Sequence, residues 1–531
     1  MLKCNGKCGK AVLAERIYLT CKRVPERKAC CIGEDEMTFR ELWYCAVKTA
    51  EKLRTMGGTA PVLLMSGHSM KEIIAVVACI LSERTYVPIS AFLPKKRLES
   101  IIRMTGASLL LTDGHGLYGE TDGMPLNVLQ LDEIAVGKED IPFEDIERCF
   151  ENVPFHNAKY GFEASHGCDS ASFVEECAAG NVSARETSDN EIAYMIFTSG
   201  STGEPKGVPI SYENLNHFID WVGTLSPMDG YEGATVLNQA SLGFDLSVAD
   251  LYYCLCYGHT WVAFPEGFPG ADGELTECFR RRRIQVAVMT PSAMKMCLLD
   301  ENFTKETLPD FRCVYFCGER LEKKTVRKLW AHFPGLAIIN AYGPTEATSA
   351  VCGVRITEEM LADGEELPVG AIASAATEIS ITDGEIVLRG PSVFGGYAGV
   401  REEERTVPGA DGYHTGDCGF FRDGLLYYRG RMDSQVKYKG YRIELYDIEN
   451  NLNRLPEVHE SAVVAVRDAN GAVKTIQAYV VTEDEQNGAE FVKTELRKLL
   501  PEYMIPKTIK KVSALPVNAN GKLDRKALET K

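Results

Sequence analysis

Short apolar runs alternate with helical periodicity through the first two thirds of this 531-residue chain. One pair is the apolar run 61–65 followed by a helical pattern over 69–82, and another is the run 313–317 followed by a helical pattern over 321–332. Repeated strand-then-helix units are typical of a parallel sheet covered by helices. The sequence therefore predicts a layered α/β fold for the main body of the protein.

The pattern changes near residue 384, where short strands and Gly-rich turns indicate a smaller β-rich subdomain, and the C-terminal part has the pattern of a further α+β unit. A chain of this length exceeds what one hydrophobic core usually supports. We predict an N-terminal domain over residues 1–432, a C-terminal domain over 433–531 and an exposed polar insertion over 150–190. Asp433 lies at the boundary, between two short strand patterns, where a hinge is expected.

The formal net charge of −17 argues against general affinity for nucleic acid or anionic lipid. Apolar runs stop short of the roughly 20 residues that a membrane-spanning helix needs, and the N-terminus lacks the apolar centre of a secretory signal. We expect a cytoplasmic protein with small-molecule or protein partners, without nucleic acid and without membrane insertion. The 18 cysteines are scattered, so most are expected to be reduced and buried rather than zinc ligands.

A loop rich in glycines and hydroxyls, the hydroxyl loop (198–207), follows the apolar run 194–197. Glycines let backbone N–H groups approach phosphate oxygens, hydroxyls donate hydrogen bonds, and a lysine supplies positive charge. The spacing is not that of a Walker loop, because the lysine is followed by glycine. A nucleotide triphosphate is the predicted ligand, with an ordinary polar turn as the alternative. The predicted phosphate-binding residues are Thr198, Ser199, Gly200, Ser201, Thr202, Gly203 and Lys206.

A second polar loop, residues 340–348, follows the apolar run 336–339, and loops at strand ends build ligand sites in α/β folds. Glu346 is predicted to hold Mg²⁺ against the phosphates, and Tyr342 to stack on a base; the alternative is an ordinary turn. Asp417, in a third polar turn, has two acceptor oxygens for the ribose hydroxyls. The further predicted nucleotide-binding residues of the second loop are Asn340, Ala341, Gly343 and Thr345.

These segments, with the turn 430–433 and the segment 518–525 (Asn-Ala-Asn-Gly-Lys-Leu-Asp-Arg), occur in the order found in the adenylate-forming superfamily. From about residue 38 to 526 the chain resembles amino-acid adenylation enzymes of that superfamily. The resemblance implies a C-terminal domain that rotates about Asp433 between two half-reactions. In the first, a carboxylate attacks the α-phosphorus of ATP and expels pyrophosphate. In the second, a thiol attacks the acyl-adenylate and releases AMP.

The resemblance also implies roles for single residues. Lys522 would contact the carboxylate and the transferring group during adenylation; the alternative is a solvated lysine on a basic tail. Lys206 would guide pyrophosphate, Asp417 and Arg431 would hold the ribose, and Glu346 would bind the metal. Such phosphoryl chemistry requires mainly that the reactants are held in position and that the charge developing on the phosphates is neutralised, and these residues meet both requirements.

Substrate class depends on Asp245, which stands where amino-acid-activating members have an aspartate for the substrate α-ammonium. A helix N-cap is the alternative role. Four stretches, at 237–248, 290–299, 316–319 and 342–359, resemble the branch of D-alanine:D-alanyl carrier protein ligases, which supply D-alanine for teichoic acid esterification. Cys297 stands where that branch has a cysteine beside the substrate methyl group, and a core cysteine is the alternative. Ala341 and Arg320 depart from the residues usual in that branch.

The sequence contains no Gly-Gly-x-Ser site for phosphopantetheine attachment, so the resemblance implies a phosphopantetheinylated carrier protein acting in trans, with coenzyme A as the rival acceptor. The expected function is therefore activation of a small amino acid, D-alanine, with ATP and Mg²⁺, and its transfer to the carrier thiol. Two alternatives stay open: a stand-alone adenylation enzyme of the nonribosomal-peptide type for another small amino acid, and a catalytically silent adenylate-binding protein.

Overall fold

The structure is a computed structural model that describes the greater part of the chain. The described residues are 9–66, 69–112, 124, 126–131, 192–200, 204–225, 228–264, 274–363, 366–372, 375–399, 412–432, 435–468, 471–482, 489–516 and 525–529. The predicted insertion over 150–190 and the predicted hinge residue Asp433 lie outside these residues.

The largest sheet in the described part of the chain has eight strands. They are β1 (Lys28–Ile32), β2 (Asp35–Thr38), β9 (Thr235–Asn238), β10 (Thr260–Ala263), β11 (Val286–Met289), β12 (Cys313–Phe316), β13 (Ala337–Tyr342) and β14 (Cys352–Arg355). Their order is β14-β13-β12-β11-β9-β10-β1-β2. All neighbours from β13 to β1 are parallel, and β2 and β14 pair antiparallel at the two edges. The carboxyl ends of the parallel strands therefore share one edge of the sheet.

A second sheet has six described strands in the order β6-β5-β3-β4-β7-β8. They are β3 (Val62–Ser66), β4 (Tyr86–Ser90), β5 (Leu109–Thr112), β6 (Asn127–Gln130), β7 (Ile192–Thr198) and β8 (Lys206–Ser211). Only β8 runs antiparallel to its neighbour. The hairpin of β7 and β8 places Thr198 opposite Lys206, so the two ends of the hydroxyl loop lie side by side.

Helices cover both sheets, which confirms the predicted α/β fold. Those of the main body are α1 (Gly9–Arg23), α2 (Phe39–Thr55), α3 (Met70–Leu81), α4 (Lys95–Thr105), α5 (Tyr212–Val222), α6 (Leu246–Tyr257), α7 (Glu274–Arg282), α8 (Pro291–Cys297), α9 (Lys323–His332) and α10 (Glu358–Ala362). A capping box of Thr38 and Glu41 begins α2. Alternate residues of β11 belong to two cores: Val288 faces the core shared with the second sheet, and Met289 faces the core under α8 and α9. No helix in the described residues is both apolar and long enough for a membrane span.

Antiparallel strands follow the main body, as the Gly-rich turns predict. They are β15 (Gly370–Ala371), β16 (Glu378–Thr382), β17 (Glu385–Arg389), β18 (Tyr413–Arg422) and β19 (Leu425–Arg431), in the order β15-β19-β18-β17-β16. Because β18 pairs antiparallel with β19, Asp417 stands directly opposite Arg431.

The C-terminal part has its own apolar core, formed by residues between 436 and 509. Its strands are β20 (Gln435–Tyr438), β21 (Tyr441–Glu444), β22 (Glu460–Arg467), β23 (Val473–Val481) and β24 (Thr508–Lys511), and its helices are α11 (Leu445–Leu452), α12 (Ala489–Arg497) and α13 (Arg525–Glu529). Strands β20 and β21 form a hairpin whose turn residues, Lys439 and Gly440, both have positive φ. Such a turn matches the twist of a two-stranded ribbon.

This C-terminal part contacts the main body through a buried ion pair and an edge-on aromatic contact. Arg97 of α4 lies 2.5 Å from the Asp447 carboxylate of α11, and the side chains are 7% and 0% exposed. Burial raises the pKa of Asp447, and Arg97 lowers it. The Phe244 ring meets Tyr441 edge-on at 4.6 Å, and Tyr441 stacks on Tyr503 at 4.0 Å. The β20–β21 hairpin is thereby held against the carboxyl edge of the largest sheet.

Asp250, a fully buried carboxylate on α6, fixes that helix to the largest sheet. It accepts hydrogen bonds from Trp261 Nε1 at 2.7 Å and from Asn238 Nδ2 at 2.9 Å. Asp250→Ala should lower the free energy of unfolding of the main body by about 2–4 kcal/mol, because two buried donors lose their acceptor. All four tryptophans, Trp43, Trp221, Trp261 and Trp330, lie in the main body, so urea unfolding followed by tryptophan fluorescence measures this change. Asp35→Ala, at an exposed position, is the control and should change stability by less than about 0.5 kcal/mol.

Arg97→Ala should loosen the seating of the C-terminal part, because it leaves the Asp447 carboxylate buried without its cation. Hydrogen exchange followed by mass spectrometry should then show faster exchange across residues 441–452, while the strands of the largest sheet keep their protection. Lys96→Ala, at an exposed position of the same helix, is the matched control and should leave both regions unchanged. Equal exchange in wild type and Arg97→Ala would show that the ion pair does not hold the two parts together.

Candidate active site

A cavity of about 320 Å³ opens where the carboxyl edge of the largest sheet meets the β20–β21 hairpin. The loops after β9, β11, β12 and β13 each contribute to its wall, as expected for ligand sites at the carboxyl ends of parallel strands. The rest of the wall comes from the end of β4 and the residues after it, from the residue after β10, from the start of α6, from β18 and β19, and from the hairpin. The polar and charged wall residues are Ser90, Gln239, Ser241, Asp245, Thr290, Thr345, Ser349, Asp417, Arg431, Lys437, Lys439 and Arg442.

Asp245 and Thr345, two predicted site residues 100 positions apart, meet in this wall. The Thr345 hydroxyl donates to Asp245 Oδ2 at 2.6 Å. Asp245 occupies the N-cap position of α6, but its side chain makes no capping hydrogen bond. Helix capping therefore does not explain why an aspartate stands at this position. Burial raises the pKa of Asp245, while the Thr345 hydrogen bond and the nearby cations Lys437 and Arg442 lower it. Within the described residues no cationic side chain lies within ion-pair distance of Asp245.

Asp417 and Arg431, which also line the cavity, form a buried ion pair at 2.8 Å. The second oxygen of Asp417 accepts the Tyr342 hydroxyl at 2.6 Å. Tyr342 itself is buried behind this wall, 4% exposed, and the amide of Asn340 donates to the Pro368 carbonyl at 2.7 Å. The structure therefore places Asp417 and Arg431 at the cavity. Asn340 and Tyr342 support its wall from behind. The stacking of Tyr342 on a base stays a prediction.

Glycines allow two close backbone approaches at the site. A Cβ atom on Gly200 would lie 2.1 Å from the Glu204 carbonyl oxygen, and one on Gly343 would lie 2.4 Å from the Ala350 Cα. Neither separation is sterically allowed, so both loops depend on glycine at these positions. Ala341 is buried in β13.

Glu346 is fully buried, and both of its carboxylate oxygens have partners. Tyr397 donates its hydroxyl to Oε1 at 2.6 Å, and Arg442 of β21 pairs with Oε2. Burial alone would raise the pKa of Glu346, but the Arg442 guanidinium and the Tyr397 hydroxyl hold it below its usual range. Lys206 lies close by, with Nζ 5.2 Å from the centre of the Tyr397 ring.

Cys297 lies in the apolar core under α8 and α9 and not in the cavity wall. Its thiol donates to the Ala293 carbonyl at 3.3 Å, and burial raises its pKa. A different cysteine, Cys317 at the end of β12, contributes to the cavity wall. The predicted substrate contact of Cys297 stays a prediction, while its surroundings are those of a core cysteine.

Four further predicted site residues, Ser201, Thr202, Gly203 and Lys522, lie outside the described residues. The described ends of the hydroxyl loop, Thr198 to Gly200 and Lys206, flank the first three. Their predicted contacts with phosphate and substrate remain predictions.

The β20–β21 hairpin is the part of the site that the sequence analysis missed. Ser199 donates its hydroxyl to the Arg442 carbonyl and accepts the Glu444 N–H, both at 3.0 Å. Gly440 N–H donates to Glu319 Oε1 at 2.5 Å. The available signal was the Lys439-Gly440 turn, which indicates a tight hairpin, but nothing in the local pattern indicates which distant loops it contacts.

Two family models match the chain. The model described as AMP-binding enzyme matches residues 18–398, and the model described as AMP-binding enzyme C-terminal domain matches residues 447–522. Curated relatives extend the match to nearly the whole chain. A D-alanine--D-alanyl carrier protein ligase of Staphylococcus epidermidis is 34% identical over 95% of this chain and 96% of its own, and one of Lactococcus lactis is 32% identical over 98% and 99%. A ligase of the same name from Listeria welshimeri is 36% identical over 88% of both chains.

Solved structures agree with this assignment at the level of the fold. The Vibrio cholerae adenylation domain AlmE, in complex with glycyl-adenosine-5'-phosphate, has a TM-score of 0.76 and 23% identity, with 100% of this chain and 98% of that chain covered. The amide bond synthetase McbA from Marinactinospora thermotolerans has a TM-score of 0.77 and 21% identity, with coverage of 98% and 99%. Because a family model covers most of the chain and curated relatives match it almost end to end, this protein belongs to the family of AMP-binding enzymes.

Proposed function

We propose that this chain activates D-alanine with ATP and transfers the D-alanyl group to the phosphopantetheine thiol of a carrier protein. Relatives that carry the name of this ligase match nearly the whole chain, and one structural neighbour contains adenylation and carrier domains together. The observation that carries the proposal is Asp245, a carboxylate at the cavity wall that has a hydroxyl partner but no contacting cation among the residues the structure describes. A substrate ammonium would supply that missing charge.

Substrate positioning follows from two carboxylates in the cavity wall, Asp417 and Asp245. The ribose hydroxyls would lie at Asp417, whose orientation is fixed by Arg431 and Tyr342. The amino acid would place its ammonium at Asp245. Its carboxylate would then point toward the α-phosphorus of the nucleotide, whose ribose lies at Asp417. Holding both reactants in one cavity makes their reaction effectively unimolecular, which contributes a large part of the rate enhancement in such enzymes. Lys206 and the hydroxyl loop would take the charge of the departing pyrophosphate.

Glu346 would be the Mg²⁺ ligand in this proposal, and its two carboxylate oxygens are paired with Tyr397 and Arg442 in this structure. Within the described residues no group of three or more His, Cys, Asp or Glu side chains could hold a metal ion. A single carboxylate suits Mg²⁺ that is bound mostly by substrate phosphates and water. When bound there, the ion neutralises charge on the phosphates. Lys522 would then contact the reacting carboxylate.

Activation of another small amino acid is a second candidate function. The structural neighbour AlmE is in complex with a glycyl adenylate, and Cys297, the residue predicted to contact a substrate methyl group, lies in the core. The nucleotide and ammonium sites would be the same for either substrate. The two candidates therefore differ only in side-chain selection.

ATP–pyrophosphate exchange tests the proposed function and separates these candidates. With Mg²⁺ present, D-alanine should support exchange at least tenfold faster than L-alanine, glycine, D-serine, L-serine or acetate. A tenfold preference corresponds to about 1.4 kcal/mol, well within what one methyl group and its configuration provide. Fastest exchange with a different amino acid would replace D-alanine by that substrate, and exchange with acetate alone would contradict the role of Asp245.

Asp245→Asn should lower kcat/KM for the amino acid by about 100-fold, since it removes the charge partner of the ammonium, and should leave KM for ATP within about threefold.

In the wild type, kcat/KM should fall as pH drops through the Asp245 pKa, because the protonated carboxyl no longer pairs with the ammonium. Burial raises that pKa, so this decline should begin above the range of an exposed aspartate and should vanish in Asp245→Asn. Asp35→Asn serves as the control, with an unchanged pH profile.

Lys522→Ala should reduce adenylate formation at least 1000-fold and leave ATP binding, measured by calorimetry, within about threefold. Lys507→Ala is the matched control in the same basic C-terminal segment, at an exposed position, and should keep wild-type exchange. Equal exchange rates in the two variants would favour the alternative of a solvated lysine at position 522.

A further inference from the structure

A second cavity, the amino-edge pocket, lies at the amino edge of the largest sheet and has a volume of about 200 Å³. Its wall combines three cationic side chains, Lys305, Arg312 and Arg355, with the Tyr231 ring and with apolar residues at the starts of β12 and β13. Strand β13 begins at this pocket, and the residue after its other end lines the candidate active site. A strand of this length spans about 17 Å, so one small ligand cannot occupy both cavities.

The strand register brings the two arginines to one edge of the sheet. Arg312 immediately precedes β12, and Arg355 is the last residue of β14. Strand β13 lies between them, and β14 runs antiparallel to it, so the end of β14 lies beside the starts of β12 and β13. Two strand spacings separate the arginine backbones by about 10 Å. Ala337, at the start of β13, has a small side chain and leaves space between them.

The cations of the pocket have no acidic partner among the residues the structure describes. No Asp or Glu lines the described wall, and no described carboxylate lies within ion-pair distance of Arg312 or Arg355. Arg283 holds the pKa of Asp310 below its usual range, with contributions from Arg312 and Lys305, but both Asp310 oxygens are paired with Arg283, at 3.1 and 3.2 Å. In a chain with 75 acidic and 58 basic residues, this wall is strongly cationic.

Hydrogen-bond donors are also left over in the wall. Lys305 Nζ donates to the carbonyls of Pro309 at 2.8 Å and Phe311 at 3.4 Å, and an ammonium has a third proton to donate. Burial raises the pKa of Tyr231, while Arg312 and Arg355 act to lower it, so its hydroxyl is within electrostatic reach of both arginines. Guanidinium groups donate in a fork that matches the oxygens of phosphate.

We propose that the amino-edge pocket binds a small phosphate-type oxyanion between Arg312 and Arg355, with Lys305 and Tyr231 as further donors. Pockets for drug-sized ligands begin at about 300 Å³, so the smaller volume here suits an anion without a nucleoside. Two anions share this chemistry: orthophosphate from solution, and the pyrophosphate that the proposed reaction would release. The site itself does not rest on the proposed function.

Arginine footprinting on the wild-type protein tests the site without turnover. Phenylglyoxal modifies accessible arginines, and both Arg312 and Arg355 are exposed. Orthophosphate or pyrophosphate, each with EDTA, should slow modification of both residues about threefold when two thirds of the pockets are filled. Sodium chloride of equal ionic strength is the reference, and peptide mass spectrometry reads each residue separately. Arg327, an exposed arginine of α9 outside the pocket, should react equally in all solutions.

Equilibrium dialysis with radiolabelled orthophosphate or pyrophosphate gives a second readout. Arg312→Gln should weaken binding at this site about tenfold, since it removes charge-assisted hydrogen bonds. The double variant Arg312→Gln/Arg355→Gln should lose about one bound anion per chain relative to wild type. Arg327→Gln removes the same charge outside the pocket and should bind as wild type does. Anions bound elsewhere, including at the hydroxyl loop, contribute equally to all these proteins and cancel in the comparison.

The outcomes decide both the site and its occupant. A lower Kd for pyrophosphate at the site that the double variant loses would identify the reaction product as the ligand, and a lower Kd for orthophosphate would identify the free ion. If neither anion protects Arg312 and Arg355 better than chloride does, or if the double variant binds as many anions as Arg327→Gln, the site is overturned. Failure of D-alanine to support exchange would contradict the proposed function and leave this site standing.

Discussion

Charge compensation of three buried carboxylates organises the site on which the function depends. Asp417 on β18 is compensated by Arg431 on the neighbouring strand β19. Glu346 is compensated by Arg442, which belongs to the C-terminal part. Asp245 has a hydroxyl partner, Thr345, but no contacting cation in the described residues. Because an uncompensated buried charge costs several kcal/mol, each of these carboxylates needs a cation or hydrogen-bond donors next to it.

The three carboxylates therefore have three different functions in the proposed cycle. The Asp417 pair lies within the paired strands β18 and β19 and would orient the nucleotide in both half-reactions. The Glu346 pair joins the main body to the C-terminal part, because Arg442 belongs to β21. The open partner position at Asp245 is left to the substrate.

The sequence predicted much of the fold because its signals are local. The apolar run and helical pattern over 61–82 became β3 and α3, and those over 313–332 became β12 and α9. The Gly-rich loops could be located because only glycine allows the backbone approaches seen at Gly200 and Gly343. What the sequence did not reveal was tertiary: the pairing of Arg442 with Glu346 joins residues 96 positions apart, and no periodicity encodes it. Cys297 shows the same limit, since a cysteine on a short helix gives no local sign of whether it faces a cavity or the core.

A crystal structure with a non-hydrolysable D-alanyl adenylate analogue tests the central claim most directly. The account predicts the analogue in the cavity at the carboxyl edge of the largest sheet, with its ammonium at hydrogen-bond distance from Asp245 and its ribose hydroxyls at Asp417. An analogue bound in this cavity with its ammonium away from Asp245, or bound elsewhere on the chain, would contradict the assignment of the open carboxylate to the substrate.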